Sequence, residues 1–544
     1  MTAAVTVLDL IEESASGGGT VQFLAEDRAP RPIADLWDAS ARSSGWVQDH
    51  AGVDGIVAVV ASTCFGFAST LIGAWRAGAT VGSLQPPGRG VSIERYRAQI
   101  EWTCAQLQPA CLLVDPVYRS MIEDLELTVP VFTFDEAMTG DASRADAGSQ
   151  GRFVQFTSGT TAQAAGVELS LSGIGAHTLA ILSAIEPRYD TTSLSWLPLS
   201  HDMGLIGMFL TSIVAASSQR RNANLVLLRP EDFLRDPRVW LQACSEFGVE
   251  VTAAPLFALE LVSRRMPSSR LDLSRLRTCI LGGEVNRAEA LRRFESAYAE
   301  HGLSDTALCP AYGLAEATLA VTLLPPDRPW SSMRVDGDAL ARGTWAPCAE
   351  GDDASREIVM NGPPLPGVQV RVQGDAPEDI GRIEISSDSL LRRYIGRELE
   401  LTEDGWFATA DLGFVDGGQL AVIGRMDDVL VIGGRNINAG DVERIVDAHE
   451  AVRLGSCIAV PTDDGKYAVL MEPARANCVS GDLRDAASEI RAAVVRDVGV
   501  APRALMFVKR GSLPKTPSGK KQRWRAAEGM ARGELEMLGG LARD

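Results

Sequence analysis

The chain has 544 residues, of which 46% are apolar and 23% charged, and its formal net charge is −19. This length exceeds what one hydrophobic core supports, so we expect two or more domains. The negative charge disfavours nucleic acid and anionic membrane surfaces as partners.

The start of the chain lacks the basic and apolar segments of a secretion signal. The longest apolar runs fall short of the roughly 20 residues that cross a membrane. Nine cysteines are scattered without a C-x-x-C pair, which is typical of reduced thiols. We therefore expect a cytoplasmic protein.

Residues 54–87 change from a continuous apolar, β-branched run to a helical pattern and back to a short strand. This order predicts a β-α-β unit with a buried parallel strand. Strands that alternate with helices favour an α/β fold with largely parallel sheets. Further strands of this kind are predicted within residues 110–116, 192–199, 223–230, 248–255 and 276–284.

After about Leu365 the pattern becomes short alternating strands separated by Gly and Asp turns, which favours antiparallel pairing. Residues 325–361 are polar and irregular, and we expect a surface insertion there. We predict a large N-terminal domain, residues 1–424, with parallel α/β sheets and a small antiparallel β-barrel-like subdomain. A small, mobile α+β C-terminal domain, residues 425–544, completes the predicted fold.

Five stretches carry the chemistry, in this order: FTSGTTAQAAG (156–166), SWLPLSHDMGLIG (195–207), AYGLAEATLAVT (311–322), GWFATADLGF with IGRMDDVLVIGGRNINAGDVE (405–414 and 423–443), and LPKTPSGKKQR (513–523). Together they resemble the adenylate-forming superfamily, and the resemblance covers nearly the whole chain. The second and third stretches look most like the fatty acyl-AMP ligase branch and its relatives in natural-product biosynthesis. No aspartate motif for an amino group is apparent, which disfavours an amino acid substrate.

The resemblance implies a role for each matched residue. Lys520, His201 and Glu316 would be catalytic, with Glu316 also a ligand of Mg²⁺ between phosphates. Asp427 would be the hinge of the small domain, and Gly433 and Gly434 would line a pantetheine tunnel. The implied nucleotide-binding residues are Thr157, Ser158, Gly159, Thr160, Thr161, Tyr312, Gly313, Asp411 and Arg425.

These residue types suit the chemistry, but each also has a structural interpretation. Tyr312 offers a face for adenine to stack on, or is a core tyrosine. Asp411 can accept hydrogen bonds from both ribose hydroxyls, or caps a turn. Alternatively, Glu316 is an acid at a helix N-terminus, His201 is a structural histidine with satisfied hydrogen bonds, and residues 425–428 are an exposed turn without function.

The phosphate loop departs from the family pattern [Y/F]-T-S-G-[S/T]-T-G-x-P-K-G. Ala162 stands where glycine is expected, Ala164 where proline is, and Ala165 where lysine is. The hydroxyls and backbone N–H groups can still hold phosphate oxygens, but the charge for the outer phosphates is missing. We therefore expect slow adenylation.

The sequence thus predicts an acyl-CoA ligase-type enzyme for a hydrophobic carboxylic acid, specialised for forming the thioester from preformed acyl-AMP. ATP or AMP, CoA and possible Mg²⁺ are its expected cofactors. The acid would lie between residues 254–261, residues 282–286 and the SHDMG segment. Two alternatives stay open: a complete fatty acyl-AMP ligase that loads a carrier protein, and a catalytically silent nucleotide-binding partner of a companion ligase.

Overall fold

The structure is a computed structural model, which describes residues 5–87, 93–144, 151–156, 165–217, 222–267, 269–349, 355–432, 435–462, 464–475, 480–515 and 521–542. Residues Thr157 to Thr161, Gly433, Gly434 and Lys520 lie outside these ranges. The roles predicted for them stay predictions.

A seven-stranded sheet contains the predicted β-α-β unit, which is confirmed. Strands Ile56–Val60 and Thr80–Leu84 pair in parallel, and helix Phe65–Arg76 connects them. Residues 57–60 are fully buried, as expected of an apolar run in a parallel sheet covered on both faces. The strand order is Arg393–Ile395, Gly166–Ser170, Arg152–Phe156, Thr80–Leu84, Ile56–Val60, Cys111–Val114 and Val131–Thr133.

The strands that flank the predicted phosphate loop in sequence lie near one edge of this sheet. Strands Arg152–Phe156 and Gly166–Ser170, which flank the loop in sequence, pair antiparallel. The second of them pairs antiparallel with Arg393–Ile395, where Ile395 lies opposite Gly166. Residues after Ile395 are therefore brought next to the end of the loop.

An eight-stranded sheet holds the remaining predicted parallel strands. Its order is Ala320–Leu323, Leu308–Gly313, Thr278–Leu281, Val251–Ala254, Thr192–Ser195, Asn224–Leu227, Thr20–Phe23 and Arg31–Pro32. The six inner strands are parallel, and the two edge strands pair antiparallel. The predicted site residues Tyr312 and Gly313 lie at the carboxyl end of one inner strand, where α/β sheets usually bind ligands.

The expected antiparallel subdomain is a four-stranded sheet of order Val368–Val372, Gly381–Ser387, Phe407–Asp416 and Gln419–Arg425. Residues 325–361, by contrast, are more regular than the sequence indicates. Strands Ser332–Asp336 and Ser355–Val359 pair antiparallel, and helix Gly337–Arg342 lies between them in sequence. Although most of these residues are polar, the segment contributes the fully buried Val335 to a small apolar core.

The C-terminal α+β domain begins with a two-stranded sheet, Val429–Ile432 with Arg435–Asn438. A mixed sheet follows, with strands in the order Val452–Pro461, Tyr467–Pro473, Ala504–Val508 and Met537–Ala542. Gly424 has a φ of 154°, and a Cβ there would lie 2.2 Å from Asn438 Nδ2. A side chain at position 424 would therefore collide with Asn438, and the division of the chain near residue 424 stays a prediction.

The α-helices pack on these sheets, and one π-helical segment, Met203–Leu210, directly follows His201 and Asp202. No helix in the described ranges is long and apolar enough to cross a membrane. The α-helices are Val7–Ala15, Ile33–Ala51, Phe65–Arg76, Ile93–Leu107, Arg119–Glu123, Phe134–Ala137, Leu171–Ile185, Thr211–Val214, Pro230–Arg235, Arg238–Glu246, Leu256–Arg264, Ala288–Tyr298, Gly337–Arg342, Ala439–Asp447, Ser480–Val498 and Arg523–Ala531.

Candidate functional site

Tyr312 and Asp411 are 99 residues apart in sequence and form one hydrogen bond in the fold. The Tyr312 hydroxyl donates to Asp411 Oδ2 at 2.6 Å. Burial, the Asp411 charge and this hydrogen bond raise the pKa of Tyr312 well above its usual value. The phenol therefore stays protonated and holds the carboxylate at the end of the strand Leu308–Gly313.

Arg425 joins this pair from the neighbouring strand, because the pairing of Phe407–Asp416 with Gln419–Arg425 places Arg425 opposite Asp411. Arg425 Nη1 is 3.5 Å from Asp411 Oδ1, and Nη2 is 3.3 Å from Asp427 Oδ2. Burial lowers the pKa of Arg425, but Asp411 and Asp427 more than offset this and raise it. The three residues and Tyr312 thus form one connected cluster, the Tyr–Asp–Arg cluster.

One donor of the Tyr–Asp–Arg cluster has no acceptor. Arg425 Nε is buried and makes no hydrogen bond within the described protein. A buried unsatisfied donor costs about 1–3 kcal/mol, so natural proteins keep few of them. A hydroxyl or phosphate oxygen of a bound nucleotide would satisfy it.

Backbone contacts hold Asp411 and Tyr312 in place. The Asp411 N–H donates to Thr409 Oγ1 at 3.1 Å, and the Thr409 hydroxyl donates to the Ile383 carbonyl at 2.9 Å. Gly313 serves a purpose that the sequence did not reveal, since a Cβ there would lie 1.9 Å from the Leu319 carbonyl oxygen. The glycine lets the chain that follows Glu316 return beside Tyr312.

Glu316 lies in a short 3₁₀ turn, Ala315–Ala317, with contacts of its own. Its Oε1 accepts a hydrogen bond from the Tyr394 hydroxyl at 2.9 Å and lies 3.8 Å from Arg397 Nη2. The Arg397 guanidinium is stacked 3.7 Å from the centre of the Tyr394 ring. Neither Tyr394 nor Arg397 was found by sequence reasoning; their closeness to Glu316 depends on the pairing of Arg393–Ile395 with the strand after the phosphate loop.

Glu316 is the carboxylate that the sequence predicts as a ligand of Mg²⁺. Among the described residues, no group of three or more His, Cys, Asp or Glu side chains is arranged to hold a metal. Mg²⁺ usually keeps several waters and binds one or two carboxylates together with substrate phosphates. Glu316 can supply one such carboxylate.

His177 is a second residue that sequence reasoning missed. Its side chain is fully buried, and burial lowers its pKa from 6.5 to about 4. The Ala320 N–H donates to His177 Nε2 at 3.0 Å, while Nδ1 lies 3.2 Å from Ser389 Oγ. Neutral His177 therefore accepts from one side of the Glu316 turn and contacts Ser389 with its other nitrogen.

Thr318 completes the support of the Glu316 turn. Its φ of 69° is rare for a β-branched residue, and its buried hydroxyl donates to the Ser389 carbonyl. The Leu391 N–H in turn donates to the Glu316 carbonyl at 2.8 Å. Backbone strain of this kind persists where surrounding contacts determine the conformation, and it is common at functional sites.

His201 is paired with its neighbour: its Nδ1 is 2.6 Å from Asp202 Oδ1. The π-helical segment that follows packs closely against the Glu316 turn, since a Cβ at Gly207 would lie 2.8 Å from Leu319 Cδ2. π-Helical turns are frequent at functional sites. The structure thus brings the predicted His201 and Glu316 segments into contact.

The three segments predicted to line the acid pocket are neighbours. The Phe257 N–H donates to Glu284 Oε2 at 3.1 Å, and a Cβ at Gly282 would lie 3.6 Å from Met203 Sδ. Trp196, which precedes the SHDMG segment by a few residues, has its ring centre 6.2 Å from that of Phe257. The surroundings of these contacts are aromatic and apolar.

The predicted Lys520 lies outside the described ranges, but its neighbours are held firmly. Burial lowers the pKa of Lys521, whereas Cys457, Glu443 and Asp447 more than offset this and raise it. Lys521 Nζ lies 2.9 Å from Glu443 Oε2. Arg523 then links the same carboxylate, at 3.0 Å, to Asp428 beside the predicted hinge, at 2.8 Å.

Two α/β sheets, a curled antiparallel sheet that meets one of them at the Tyr–Asp–Arg cluster, and a C-terminal α+β domain define an adenylate-forming enzyme. The chain belongs to the AMP-binding enzyme family, whose model matches residues 33–395. The predicted superfamily and fold class are thereby confirmed.

Known proteins resemble this chain over most of its length. It is 30% identical to a long-chain-fatty-acid–AMP ligase of Mycobacterium bovis, over 86% of this chain and 85% of that protein. It is 29% identical to a 4-hydroxyphenylalkanoate adenylyltransferase of Mycobacterium marinum, over 87% and 81%. A solved structure from a study of fatty acyl-adenylate ligases of E. coli and L. pneumophila has a TM-score of 0.89 and 26% identity, covering 97% of this chain and 98% of that one.

Proposed function

We propose that this protein binds the adenylate of a hydrophobic carboxylic acid and transfers the acyl group to a pantetheine thiol, and that this half-reaction outpaces its adenylation of the free acid. In the transfer, the acyl C–O bond to the adenylate phosphate breaks, a C–S bond forms, the thiol proton is released and AMP leaves. The observation that carries the proposal is the Tyr–Asp–Arg cluster with its unsatisfied Arg425 Nε.

The proposed site assigns the adenosine to that cluster. Tyr312 would stack on adenine, Asp411 would accept from the ribose hydroxyls, and Arg425 would contact the ribose or the α-phosphate. Glu316 would hold Mg²⁺ at the phosphates, Lys520 would offset the charge at the acyl phosphate, and His201 would line the carboxylate pocket. Asp427 would act as the hinge.

The unequal rates follow from the altered loop. Thr157 to Thr161 would still hold the α-phosphate through hydroxyls and N–H groups. With Ala165 in place of lysine, a charged hydrogen bond to the outer phosphates is lost, which costs about 1.5–3 kcal/mol, or roughly ten- to a hundredfold. Acyl-AMP has no outer phosphates, so the second half-reaction escapes this cost.

Two features of the chain favour different thiol acceptors, CoA and a carrier protein. The glycines Gly433 and Gly434 favour CoA, because small residues let a pantetheine chain pass beside the backbone. A complete acyl-AMP ligase that loads a carrier protein is the second candidate. In ligases of that type an insertion hinders rotation of the small domain, and here Arg356, within residues 325–361, forms an ion pair with Asp441 of the small domain.

The names of the two mycobacterial relatives refer to adenylate formation, which also supports this second candidate. Their names concern a long-chain fatty acid and a phenylalkanoate, both hydrophobic acids. The aromatic surroundings of Trp196 and Phe257 suit either kind. A silent nucleotide-binding partner of a companion ligase remains the third candidate, and the altered loop is what favours it.

The test supplies purified protein with a long-chain fatty acid or a phenylalkanoic acid plus MgATP, and separately with the synthetic acyl-AMP of the same acid. Each is offered CoA or a phosphopantetheinylated carrier protein, and thioester is followed by mass spectrometry. We expect faster thioester formation from acyl-AMP. Equal rates from acid plus ATP would refute the half-reaction, and no product from either would favour the silent partner.

A further inference from the structure

Arg397 is a partly exposed cation beside the proposed phosphate site, and the proposed function gives it no role. Its side chain is 50% exposed, and Nη2 lies 3.8 Å from Glu316 Oε1. This separation is longer than a hydrogen bond. The guanidinium therefore keeps N–H donors that a ligand can use.

The fold places Arg397 near the position of the missing lysine. Ile395 lies opposite Gly166, and the strands run antiparallel. Residues that follow Ile395 therefore continue toward Ala165, the residue that stands where the family has lysine. Arg397 comes two residues after Ile395, at this same edge of the sheet.

The orientation of Arg397 is set by its neighbour Tyr394. The guanidinium is stacked 3.7 Å from the Tyr394 ring centre, and the Tyr394 hydroxyl donates to Glu316 Oε1. Neighbouring residues of a strand point to opposite faces. Arg393 accordingly turns away and binds the buried Glu168, with Nη2 2.8 Å from Oε2.

We propose that Arg397 binds anionic oxygens of the β- and γ-phosphates, or of pyrophosphate, beside Glu316 and stands in for the absent loop lysine. The inference rests on the proposed nucleotide site. A planar guanidinium can make paired hydrogen bonds to a phosphate, which the net charge of −19 would otherwise repel. Arg397 thus preserves part of the adenylation rate that the absence of the loop lysine would otherwise remove.

Equilibrium binding to the full-length protein tests this inference. Isothermal titration calorimetry with MgATP, magnesium pyrophosphate and AMP is run on the wild type, Arg397→Gln, Arg397→Lys and the matched control Arg393→Gln. Arg397→Gln should weaken MgATP and pyrophosphate binding by about ten- to a hundredfold and leave AMP binding unchanged. Arg397→Lys should restore part of the loss, and Arg393→Gln should leave the preference between ATP and AMP unaltered.

The outcomes separate this inference from the proposed function. If the wild type binds AMP and Arg397→Gln keeps the wild-type ratio of ATP to AMP affinity, Arg397 only neutralises Glu316 and the inference is wrong, while the nucleotide site stands. An equal loss in Arg393→Gln would also overturn it, because a general loss of positive charge would then be responsible. If the wild type binds neither nucleotide, the proposed function itself fails, and the inference with it.

Discussion

Asp411 offers the sharpest test of the nucleotide site, because the change from carboxylate to amide alters charge and leaves shape almost untouched. In Asp411→Asn, the bond from the Tyr312 hydroxyl, 2.6 Å long in the wild type, can persist to the amide oxygen. The other oxygen, which faces Arg425, becomes an NH₂ group that cannot accept. If Asp411 accepts from the ribose, the variant loses charged hydrogen bonds to the ligand.

The magnitude follows from those bonds. A hydrogen bond to a charged group is worth about 1.5–3 kcal/mol, against about 0.5–1.5 kcal/mol for a neutral one. One ribose bond weakened by about 1 kcal/mol and one lost, worth about 1.5–3 kcal/mol, predict a loss of AMP affinity of roughly seventy- to several hundredfold. Calorimetric titration with AMP measures it directly.

Tyr312→Phe is the matched control. It removes the hydroxyl but keeps the aromatic face and the Asp411 carboxylate, so AMP affinity should change by less than about threefold. Its free energy of unfolding should fall by about 1.5–3 kcal/mol, because a buried charged hydrogen bond is lost. If Asp411→Asn binds AMP like the wild type while Tyr312→Phe does not, our assignment of Asp411 to the ribose is wrong.

Three further predictions concern other parts of the molecule. Folding lowers the pKa of His177 from 6.5 to about 4, so the unfolded chain binds more protons between these pH values. The contribution of His177 to the free energy of unfolding should be complete above pH 6.5 and decrease by about 3 kcal/mol as pH falls to 4. Urea unfolding against pH should show this slope in the wild type and a reduced one in His177→Gln; parallel profiles would contradict it. Arg356→Ala removes the ion pair with Asp441 and should speed acyl transfer from preformed acyl-AMP in single-turnover assays. The control Arg334→Ala, on the facing strand, should not change this rate. Equal rates in both variants would contradict the idea that the ion pair hinders rotation of the small domain. Ala165→Lys should raise ATP-dependent thioester formation by about tenfold or more compared with the uncharged Ala165→Gln. Because Ala165 is buried, the folding of both variants is first checked by circular dichroism. Equal activities of the two variants would contradict the loop argument.

Local sequence patterns predicted the parallel strands well. The run Ile56–Val60 is apolar, β-branched and bounded by turn residues, and a buried parallel strand is the arrangement that hides such a run from water. The same reasoning was less successful for residues 325–361. There the burial of Val335 depends on a partner strand about 20 residues further along, which composition does not reveal.

The sequence by itself determined the family and the order of the five stretches, because these depend on which residues occur and in what order, and it predicts a phosphate loop without its lysine. It also named Tyr312, Asp411, Arg425 and Glu316. Only the tertiary structure decided which of them meet: the Tyr312–Asp411 bond joins residues from different sheets. It likewise decided that Tyr394, Arg397 and His177 support Glu316, since such contacts depend on strand register and helix packing over long separations rather than on any local pattern.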